Sequence, residues 1–320
     1  MTRRARCIHK NSCGSAINIL SDNPNLRAYL LLTITALCWG GNSAFAKLIV
    51  GEASPMLIVS LRWLGAVLLL LACARGAIAR DRATLRRHIP ALALMGALGF
   101  TAFNALFYVA AHTTTALNLG IIQGAIPVFV LLGTYFLFNA AVSSLQICGV
   151  VAAIIGVCIA ASSGDLQRIA SLSINQGDYL MIIACLLYAA YALALRRFRG
   201  VSAMSLFAAV AAVALITSLP LTYAEFALGN LQWPTAKGWT IIALITIFPS
   251  FLAQIFFIQG VADLGAGRAG IFVNLVPVFA AILAVSVLRE PFQWHHGASL
   301  ALVVSGIWLS ERKQKNDVMR

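Results

Sequence analysis

Two stretches of the chain, GIIQGAIPVF at residues 120–129 and GIFVNLVPVF at residues 270–279, share a Gly-Ile pair and a Pro-Val-Phe triplet at the same spacing. They lie 150 residues apart, and the same shift places Gly156 on Gly306 without a gap. Self-similarity at a fixed period indicates a structural unit that the chain builds more than once. The sequence therefore predicts two halves with one architecture.

Both stretches belong to long apolar runs, which indicate a chain embedded in a membrane. Of the 320 residues, 61% are hydrophobic and only 10% are charged, whereas a soluble domain carries roughly 25% charged residues. Ten apolar runs occur, at about residues 28–49, 55–74, 89–111, 114–138, 143–161, 178–195, 202–222, 238–260, 266–288 and 297–310. Lipid permits only helices or closed barrels, and these runs are too long for strands. The sequence predicts an all-α integral membrane protein with ten transmembrane helices, called spans one to ten below.

The distribution of basic residues predicts how the spans are oriented. Cytoplasmic loops carry the excess of Lys and Arg, and 18 of the 23 basic residues fall on one side if the N-terminus is inside. That side includes an arginine-rich segment after span two, with Arg75, Arg80, Arg82, Arg86 and Arg87. The outside loops hold Lys47, Arg168, Lys237 and Arg289. We therefore predict a bacterial inner-membrane protein with both termini in the cytoplasm.

A repeat of five spans is odd-numbered, so the two halves must lie in the membrane in opposite orientations. The sequence divides into a flexible cytoplasmic tail at 1–26, a first five-helix repeat at 27–161, a linker at 162–176, a second repeat at 177–312 and a cytoplasmic tail at 313–320. Such inverted repeats place a substrate site near the bilayer midplane, between the halves.

The polar first segment suggests metal binding and the net charge of +13 suggests nucleic-acid binding, and we favour neither function. Cys7, His9 and Cys13 have the residue types of a metal cluster, but a flexible tail explains them as well, and we expect neither a metal nor a cofactor. The basic residues lie in particular loops rather than on one face, so nucleic acid is not expected to bind. The expected partners are the lipid bilayer and a small-molecule substrate, and whether protons are also transported stays open.

Several short motifs resemble those of the EamA-type exporters of the drug/metabolite transporter superfamily. They are Trp39-Gly40, Pro55, Arg62-Trp63, Gly177, Tyr188 to Tyr191, Leu275 to Phe279, Leu288 to Glu290, and Gly306. The resemblance covers roughly residues 28–312 and implies a ten-helix exporter of small metabolites, often amino acids. It also implies a cavity between spans three, four, eight and nine, with spans one and six contributing. The chain departs from the family at Asn139-Ala140, where a Glu is often found, which weakens any role for a symmetric pair of glutamates.

Polar side chains form a stripe on span three and another on span eight. The members, spaced four residues apart on one face of each helix, are Asn104, Tyr108 and His112, and Thr246, Ser250 and Gln254. Polar groups inside a bilayer usually face a cavity or another helix. The stripes can therefore line a substrate path or form interhelical hydrogen bonds. Asn104 and Gln254 coincide at the 150-residue shift, which favours the cavity for these two.

Pro127 and Pro277 occupy matching positions in spans four and nine. Proline removes a backbone hydrogen bond and kinks a helix, and the amides Gln123 and Asn274 lie nearby. A kink beside an amide can expose a carbonyl to a ligand and gives the helix a place to bend, although neighbouring helices can also satisfy it. Repetition at one position favours a gating role for both prolines.

Aromatic and amide residues recur at similar places in spans one and six, as Trp39 and Asn42 and as Tyr188 and Tyr191. They can line a cavity for an apolar or aromatic substrate or simply pack between helices. Arg62 is the basic residue inside a predicted span. It can hold a substrate carboxylate, pair with an acid, or extend toward the interface.

A proton-driven transporter usually needs a titratable group in its pathway. His112 and Glu290 are the candidates, and both lie near the outer side. Proton antiport and facilitated efflux therefore both stay open. We predict a secondary transporter, an exporter of an amino acid or related metabolite. The alternatives are a nucleotide-sugar-like transporter or a drug or organic-cation transporter of the same architecture. From another class, a membrane-embedded enzyme is the alternative, which the scattered histidines disfavour.

Overall fold

The computed structural model describes residues 24–139, 143–165, 175–198, 201–264 and 266–311, and every regular element within them is helical. The elements are α1 (Pro24–Leu48), α2 (Pro55–Cys73), α3 (Arg75–Arg87), α4 (Ile89–Ala110), α5 (Ala116–Gln123), α6 (Ile126–Phe138), α7 (Ser144–Ala161), α8 (Gln176–Ala194), α9 (Ala203–Ala227), α10 (Ala236–Leu264), α11 (Ala266–Val273), α12 (Val276–Ser286) and α13 (Trp294–Glu311). The predicted tails and the middle of the predicted linker, with Cys7, His9 and Cys13, lie outside the described residues.

The predicted all-helical membrane architecture is confirmed in its main features. Within the described residues, eight helical stretches are long and apolar enough to cross a membrane; they cover spans one to eight. The region of span nine forms α11 and α12, of which Val276–Ser286 is a shorter apolar helix. The region of span ten forms the 18-residue helix α13. Helices therefore occupy all ten predicted regions, while the membrane crossing of the last two and the orientation of the chain stay predictions.

One helix was not expected from the apolar runs. The arginine-rich segment after span two, which the charge count treats as a loop, forms the 13-residue helix α3. Its arginines are exposed, whereas Leu85 is buried and Ile78 packs against the core. A helix with one apolar edge and many arginines is typical of the membrane interface.

Local sequence explains where most of these helices begin. Pro55 opens α2, where the missing N–H costs nothing. Ser143 and Gln146 form a reciprocal capping box at the start of α7. The side chains of Thr115 and Thr235 accept hydrogen bonds from backbone N–H groups in the first turns of α5 and α10. These side-chain caps fix the residues at which α5, α7 and α10 begin.

The 150-residue register of the sequence reappears in the backbone. The helix widens into a π-helix at Gly96–Ala102 in α4 and at Thr246–Leu252 in α10, which are equivalent segments under this shift. The helix of span four breaks between α5 and α6, at residues 124–125, and span nine breaks at the equivalent residues 274–275. Asn139 and Arg289, also equivalent, both have positive φ, of 49° and 58°. The two halves thus share their irregular features as well as their helices.

Contacts between loops define two faces of the molecule. On the far face, the loop after α1 meets the loop before α10, where Ser54 N donates to Gln232 O at 3.1 Å and Thr235 N donates to Glu52 O at 3.0 Å. The terminal face holds the start of α1 and the end of α13. There Ser202 N donates to Asp81 Oδ2 at 3.1 Å, which ties α3 to the start of α9.

Candidate functional site

A cavity of about 100 Å³ lies at the seam between the two halves. Its walls come from α1, α2, α4, α8 and α10, from the end of α5 and the start of α6, and from the residues of α11 and α12 that flank the break between them. It is lined by Trp39, Asn42, Arg62, Trp63, Gly99, Phe100, Phe103, Asn104, Gln123, Gly124, Ile126, Tyr188, Pro249, Ser250, Gln254, Val273 and Val276. A water molecule takes about 30 Å³ of liquid, so the space holds about three waters, whereas pockets for larger ligands begin near 300 Å³. The cavity is therefore narrow in this conformation.

Arg62 is the charged residue of the cavity lining, and it is 4% exposed. Its Nε donates to Ser250 Oγ at 2.9 Å, and its Nη1 donates to Asn104 Oδ1 at 2.5 Å and to Tyr108 Oη at 2.9 Å. The guanidinium carbon lies 5.2 Å from the centre of the Trp63 ring, within the range of a cation–π contact. Every one of these partners is formally neutral.

No carboxylate pairs with Arg62 in the part of the chain that the structure describes; the salt bridge found there, Lys237–Glu52, lies on the far face. Burying a charge without a counter-charge is costly, and hydrogen bonds to neutral groups offset only part of the cost. The cation is therefore held in place and desolvated, and its charge is not neutralised by the protein around it. Such a group attracts an anion from the cavity.

The irregular backbone of the two π-helical segments positions the partners of Arg62. Ser250 lies in the second segment, where its Oγ also donates to Ile245 O at 2.7 Å, five residues earlier. Asn104 follows the first segment, and its Nδ2 donates to Phe100 O at 2.6 Å. That bond turns Oδ1 of Asn104 toward Arg62. π-Helical turns frequently occur at functional sites; here the second segment supplies Ser250, and the first anchors Asn104 through the carbonyl of Phe100.

Two amide side chains face the cavity with unused hydrogen-bonding capacity. Asn42 is 5% exposed, and neither its Oδ1 nor Oε1 of Gln123 has a hydrogen-bond partner among the described residues. A buried acceptor without a partner costs about 1–3 kcal/mol, and native structures rarely contain such groups without a reason. Both amides come from the seam, in α1 and at the end of α5.

Aromatic rings form the apolar part of the wall. Trp39 Nε1 donates to Pro249 O at 3.2 Å, a carbonyl inside the second π-helical segment. The ring of Phe103 lies 5.2 Å from that of Tyr188, which lies 5.3 Å from Tyr191. This is the spacing of interacting aromatic pairs. Because most of the remaining lining is aliphatic or aromatic, a ligand here would keep an apolar body in contact with rings.

The structure brings eight of the predicted site residues into this one cavity: Trp39, Asn42, Arg62, Asn104, Gln123, Tyr188, Ser250 and Gln254. Two more lie directly behind it. Tyr108 bonds to Arg62, and Tyr191 packs on Phe100 with ring centres 5.1 Å apart. Their roles in transport stay predictions.

The remaining predicted residues lie elsewhere on the seam or outside it. Asn274 lies at the break between α11 and α12, and Pro127 and Pro277 each occupy the second position of the helix after a break. The prolines thus start helices rather than bending continuous ones. The ring of Pro277 lies next to Gly124, where an added Cβ would come within 2.9 Å of it.

His112 and Glu290 are both remote from the cavity. His112 lies in the turn after α4, where partial burial and the charge of Lys47 lower the pKa of its imidazole. Glu290 accepts hydrogen bonds from the backbone N–H groups of Ala116 and Leu117, at 2.8 and 3.0 Å. It therefore joins the far end of the second half to the start of α5.

Trp63, Phe100, Phe103 and Pro249 were not predicted as lining residues, and Asp178 was not predicted as a buried acid. Phe100 is the repeat equivalent of Ser250, so the register contained a signal for it. Asp178 is 1% exposed and accepts hydrogen bonds from Thr114 and Asn118. Its position near the start of a predicted span suggested an interfacial residue, and only the packing of α5 against α8 buries it.

The comparison with known proteins agrees with the double architecture. The EamA-like transporter family matches the chain twice, at residues 26–162 and 175–312. The chain belongs to the EamA-like transporter family. The predicted resemblance is thus confirmed, and the chain is a multi-pass membrane transporter. The two matches correspond to the two halves that the 150-residue register relates.

Similar proteins span almost the whole chain. The uncharacterized transporter YyaM of Bacillus subtilis is 27% identical over 88% of this chain and 93% of its own length. An uncharacterized transporter of Archaeoglobus fulgidus is 29% identical over 91% of this chain and 99% of its own length. A protein of known crystal structure superimposes with a TM-score of 0.62 at 18% identity, covering 88% of this chain and 96% of that one. At this identity the likeness concerns the fold.

Proposed function

We propose that this EamA-like transporter is a secondary exporter that carries an amino acid or a closely related carboxylate out of the bacterial cytoplasm by alternating access. The observation that carries the proposal is the buried, unneutralised charge of Arg62 in a narrow, largely apolar cavity at the seam of the repeats. Family membership supports the transporter part of the proposal. The charge, the amides and the rings support the substrate class.

The carboxylate end of the substrate is assigned to Arg62. A carboxylate in the cavity would supply the missing counter-charge and accept a charge-assisted hydrogen bond from the guanidinium. Asn104, Tyr108 and Ser250 already hold the Nε and Nη1 groups. The Nη2 group makes no hydrogen bond within the described protein, so it is the donor that we assign to the substrate.

The ammonium end is assigned to the amides of Asn42 and Gln123. Their unpartnered oxygens are acceptors, which a protonated amine would satisfy with charge-assisted hydrogen bonds. The rings of Trp39, Phe103 and Tyr188 would contact the side chain of the substrate. A zwitterion with an apolar side chain would therefore contact the guanidinium, the amide oxygens and the aromatic rings of the lining. A nucleotide sugar would need more cations than Arg62 to hold its phosphates.

Alternating access is supported by the different packing of equivalent positions at the two faces. On the far face, Gly120 of α5 lies so close to α12 that an added Cβ would come 2.2 Å from Ala280 Cβ. Its repeat equivalent Gly270, nearer the terminal face, has nothing described within 4 Å of such an atom. Glu290 adds hydrogen bonds at the tight end. The structure is thus the conformation that we assign to loading from the terminal face.

The direction of transport follows from the orientation predicted by the arginines. If the terminal face is cytoplasmic, the tight far face is periplasmic, and the protein loads from inside. Breaks at residues 124–125 and 274–275 give both spans of the seam a place to bend. No carboxylate or histidine lines the cavity within the described chain. Proton coupling would therefore act through residues at the far face, such as Glu290, rather than through direct competition with the substrate.

The test is transport by purified protein in proteoliposomes loaded with labelled solutes, with and without a pH gradient. We expect efflux of amino acids with apolar side chains and little efflux of the matching amines, which lack the carboxylate. Arg62→Gln should lower amino-acid efflux at least about tenfold, because a hydrogen bond to a charged group contributes about 1.5–3 kcal/mol. Arg82→Gln is the matched control, since it removes an exposed charge far from the cavity. Equal transport of amines and amino acids, or full activity of Arg62→Gln, would contradict the proposed substrate class.

A further inference from the structure

A second concave site lies on the terminal face, where α3 ends and α4 begins. This cleft has a volume of about 620 Å³ and is lined by Arg87, His88, Pro90, Ala91, Leu94 and Arg197. None of these residues lines the cavity at the seam. The cleft is open to the surface, and its two arginines come from different halves of the chain.

We propose that this cleft binds an anionic glycerophospholipid, with the lipid phosphate held by Arg87 and Arg197 and an acyl chain lying along Ala91 and Leu94. Both arginines are exposed. No Asp or Glu is part of the described lining. Two guanidinium groups without a neighbouring acid favour a phosphate, which accepts hydrogen bonds from several donors at once. Basic pockets between membrane helices are recognised sites for anionic lipid headgroups.

The depth of the lining residues favours a lipid over a free phosphate. Arg87 lies two residues before the first residue of the membrane helix α4, at the level of the headgroups. Leu94 lies five residues into α4, which places it about 7–8 Å deeper along the helix axis. Its side chain is 62% exposed. A soluble anion would use the arginines and leave this apolar wall uncovered, whereas an acyl chain would cover it.

The helix α3 strengthens the attraction of this surface for anionic lipids. Four further arginines, Arg75, Arg80, Arg82 and Arg86, are exposed along it. The acid of the helix, Asp81, already accepts a hydrogen bond from Ser202 N. Each basic residue near an anionic membrane surface contributes about 1 kcal/mol of attraction. Most of these arginines act through their charge alone, while Arg87 and Arg197 share one cleft.

The experiment measures the binding of defined lipids to the detergent-purified full chain by native mass spectrometry and by thermal unfolding. The probes are phosphatidylglycerol, phosphatidylcholine with the same acyl chains, and inorganic phosphate. We expect phosphatidylglycerol to bind and to raise the unfolding temperature, and the other two to do neither. Arg87→Gln combined with Arg197→Gln should weaken phosphatidylglycerol binding by about fivefold or more.

Two further variants separate a specific site from a general charge effect. Arg80→Gln combined with Arg82→Gln removes the same charge from exposed positions outside the cleft, and in detergent, where no membrane surface is present, it should weaken phosphatidylglycerol binding less than the cleft pair does. Leu94→Ser alters only the acyl wall, and should weaken lipid binding with all arginines present. Equal loss in both double variants, protection by phosphate alone, or equal binding of phosphatidylcholine would each overturn the proposal.

Discussion

Glu290 and Ala116 lie 2.8 Å apart through a hydrogen bond from the backbone N–H of Ala116 to Oε1 of Glu290, and this bond joins the two halves at the far face. The second oxygen accepts from Leu117 at 3.0 Å. A carboxylate at the start of a helix is also favoured by the helix dipole. The repeat equivalent of Glu290 is Ala140, so the chain cannot form a matching carboxylate contact at the other end. The two faces therefore differ in this carboxylate contact as well as in their packing.

Glu290→Gln is therefore expected to loosen the far face. Charge-assisted hydrogen bonds contribute about 1.5–3 kcal/mol each, and an amide retains only one acceptor oxygen. The variant should unfold at a lower temperature and should load substrate less effectively from the terminal face in the efflux assay. Asp263→Asn is the control, because Asp263 accepts a hydrogen bond from Gln259 on its own helix. Unchanged unfolding and unchanged efflux in Glu290→Gln would show that this contact does not hold the face closed.

The equivalent glycines provide a matched pair of substitutions. Gly120→Ala would place a methyl group 2.2 Å from Ala280 Cβ, so α5 and α12 must separate, and overpacking of this kind costs about 1–3 kcal/mol. Gly270→Ala meets no described atom within 4 Å and should be neutral or slightly stabilising, since alanine favours helices over glycine. Thermal unfolding of the two variants measures the difference. Equal destabilisation would mean that the faces are packed alike, against the proposed conformation.

The repeat made much of this fold predictable. A Gly-Ile pair and a Pro-Val-Phe triplet at one spacing predicted which helices correspond, and the π-helical segments and breaks follow the same register. The helix α3 was not predictable from apolar runs, because its stability depends on a narrow apolar edge and on the contact of Asp81 with α9. The structure of span nine was also only partly predictable. Its sequence shows Pro277, but it does not show that two separate helices, α11 and α12, meet just before this residue.

The site was predictable as a set of residues but not as an arrangement. Periodicity placed Asn104 and Ser250 on polar stripes of separate helices, and Arg62 was noted as a basic residue within a predicted span, without a prediction of whether it is buried. Only the crossing of α2, α4 and α10 shows that Arg62 donates hydrogen bonds to both Asn104 and Ser250. Phe100 and Trp63 look like ordinary packing residues in the sequence. Their place in the wall depends on tertiary contacts that no local pattern reports.

The partners of Arg62 should differ in importance from residues that only line the cavity. Asn104→Ala removes the acceptor of an Nη1 bond and frees the guanidinium to move, so we expect a rise in the KM for amino-acid efflux of about tenfold. Gln254→Ala removes a lining side chain that is not among the hydrogen-bond partners of Arg62 in the described structure, and should change KM less. Tyr108→Phe deletes one hydroxyl and should give an intermediate effect. If both alanine variants transport like the unaltered protein, the cavity is not the substrate site.

The attachment of α3 should depend on pH through Asp81. Hydrogen bonds from Ser205 and Ser202 lower the pKa of this carboxyl in the folded protein. A lowered pKa stabilises the fold at every pH above the unfolded value of about 3.9, and this contribution is lost as the pH falls through the folded value below it. Asp81→Asn should therefore unfold at a lower temperature at pH 7. The unfolding temperatures of variant and unaltered protein should converge below about pH 4, as thermal scans across pH would measure. A difference that persists unchanged into acid would show that the contact acts through shape rather than charge.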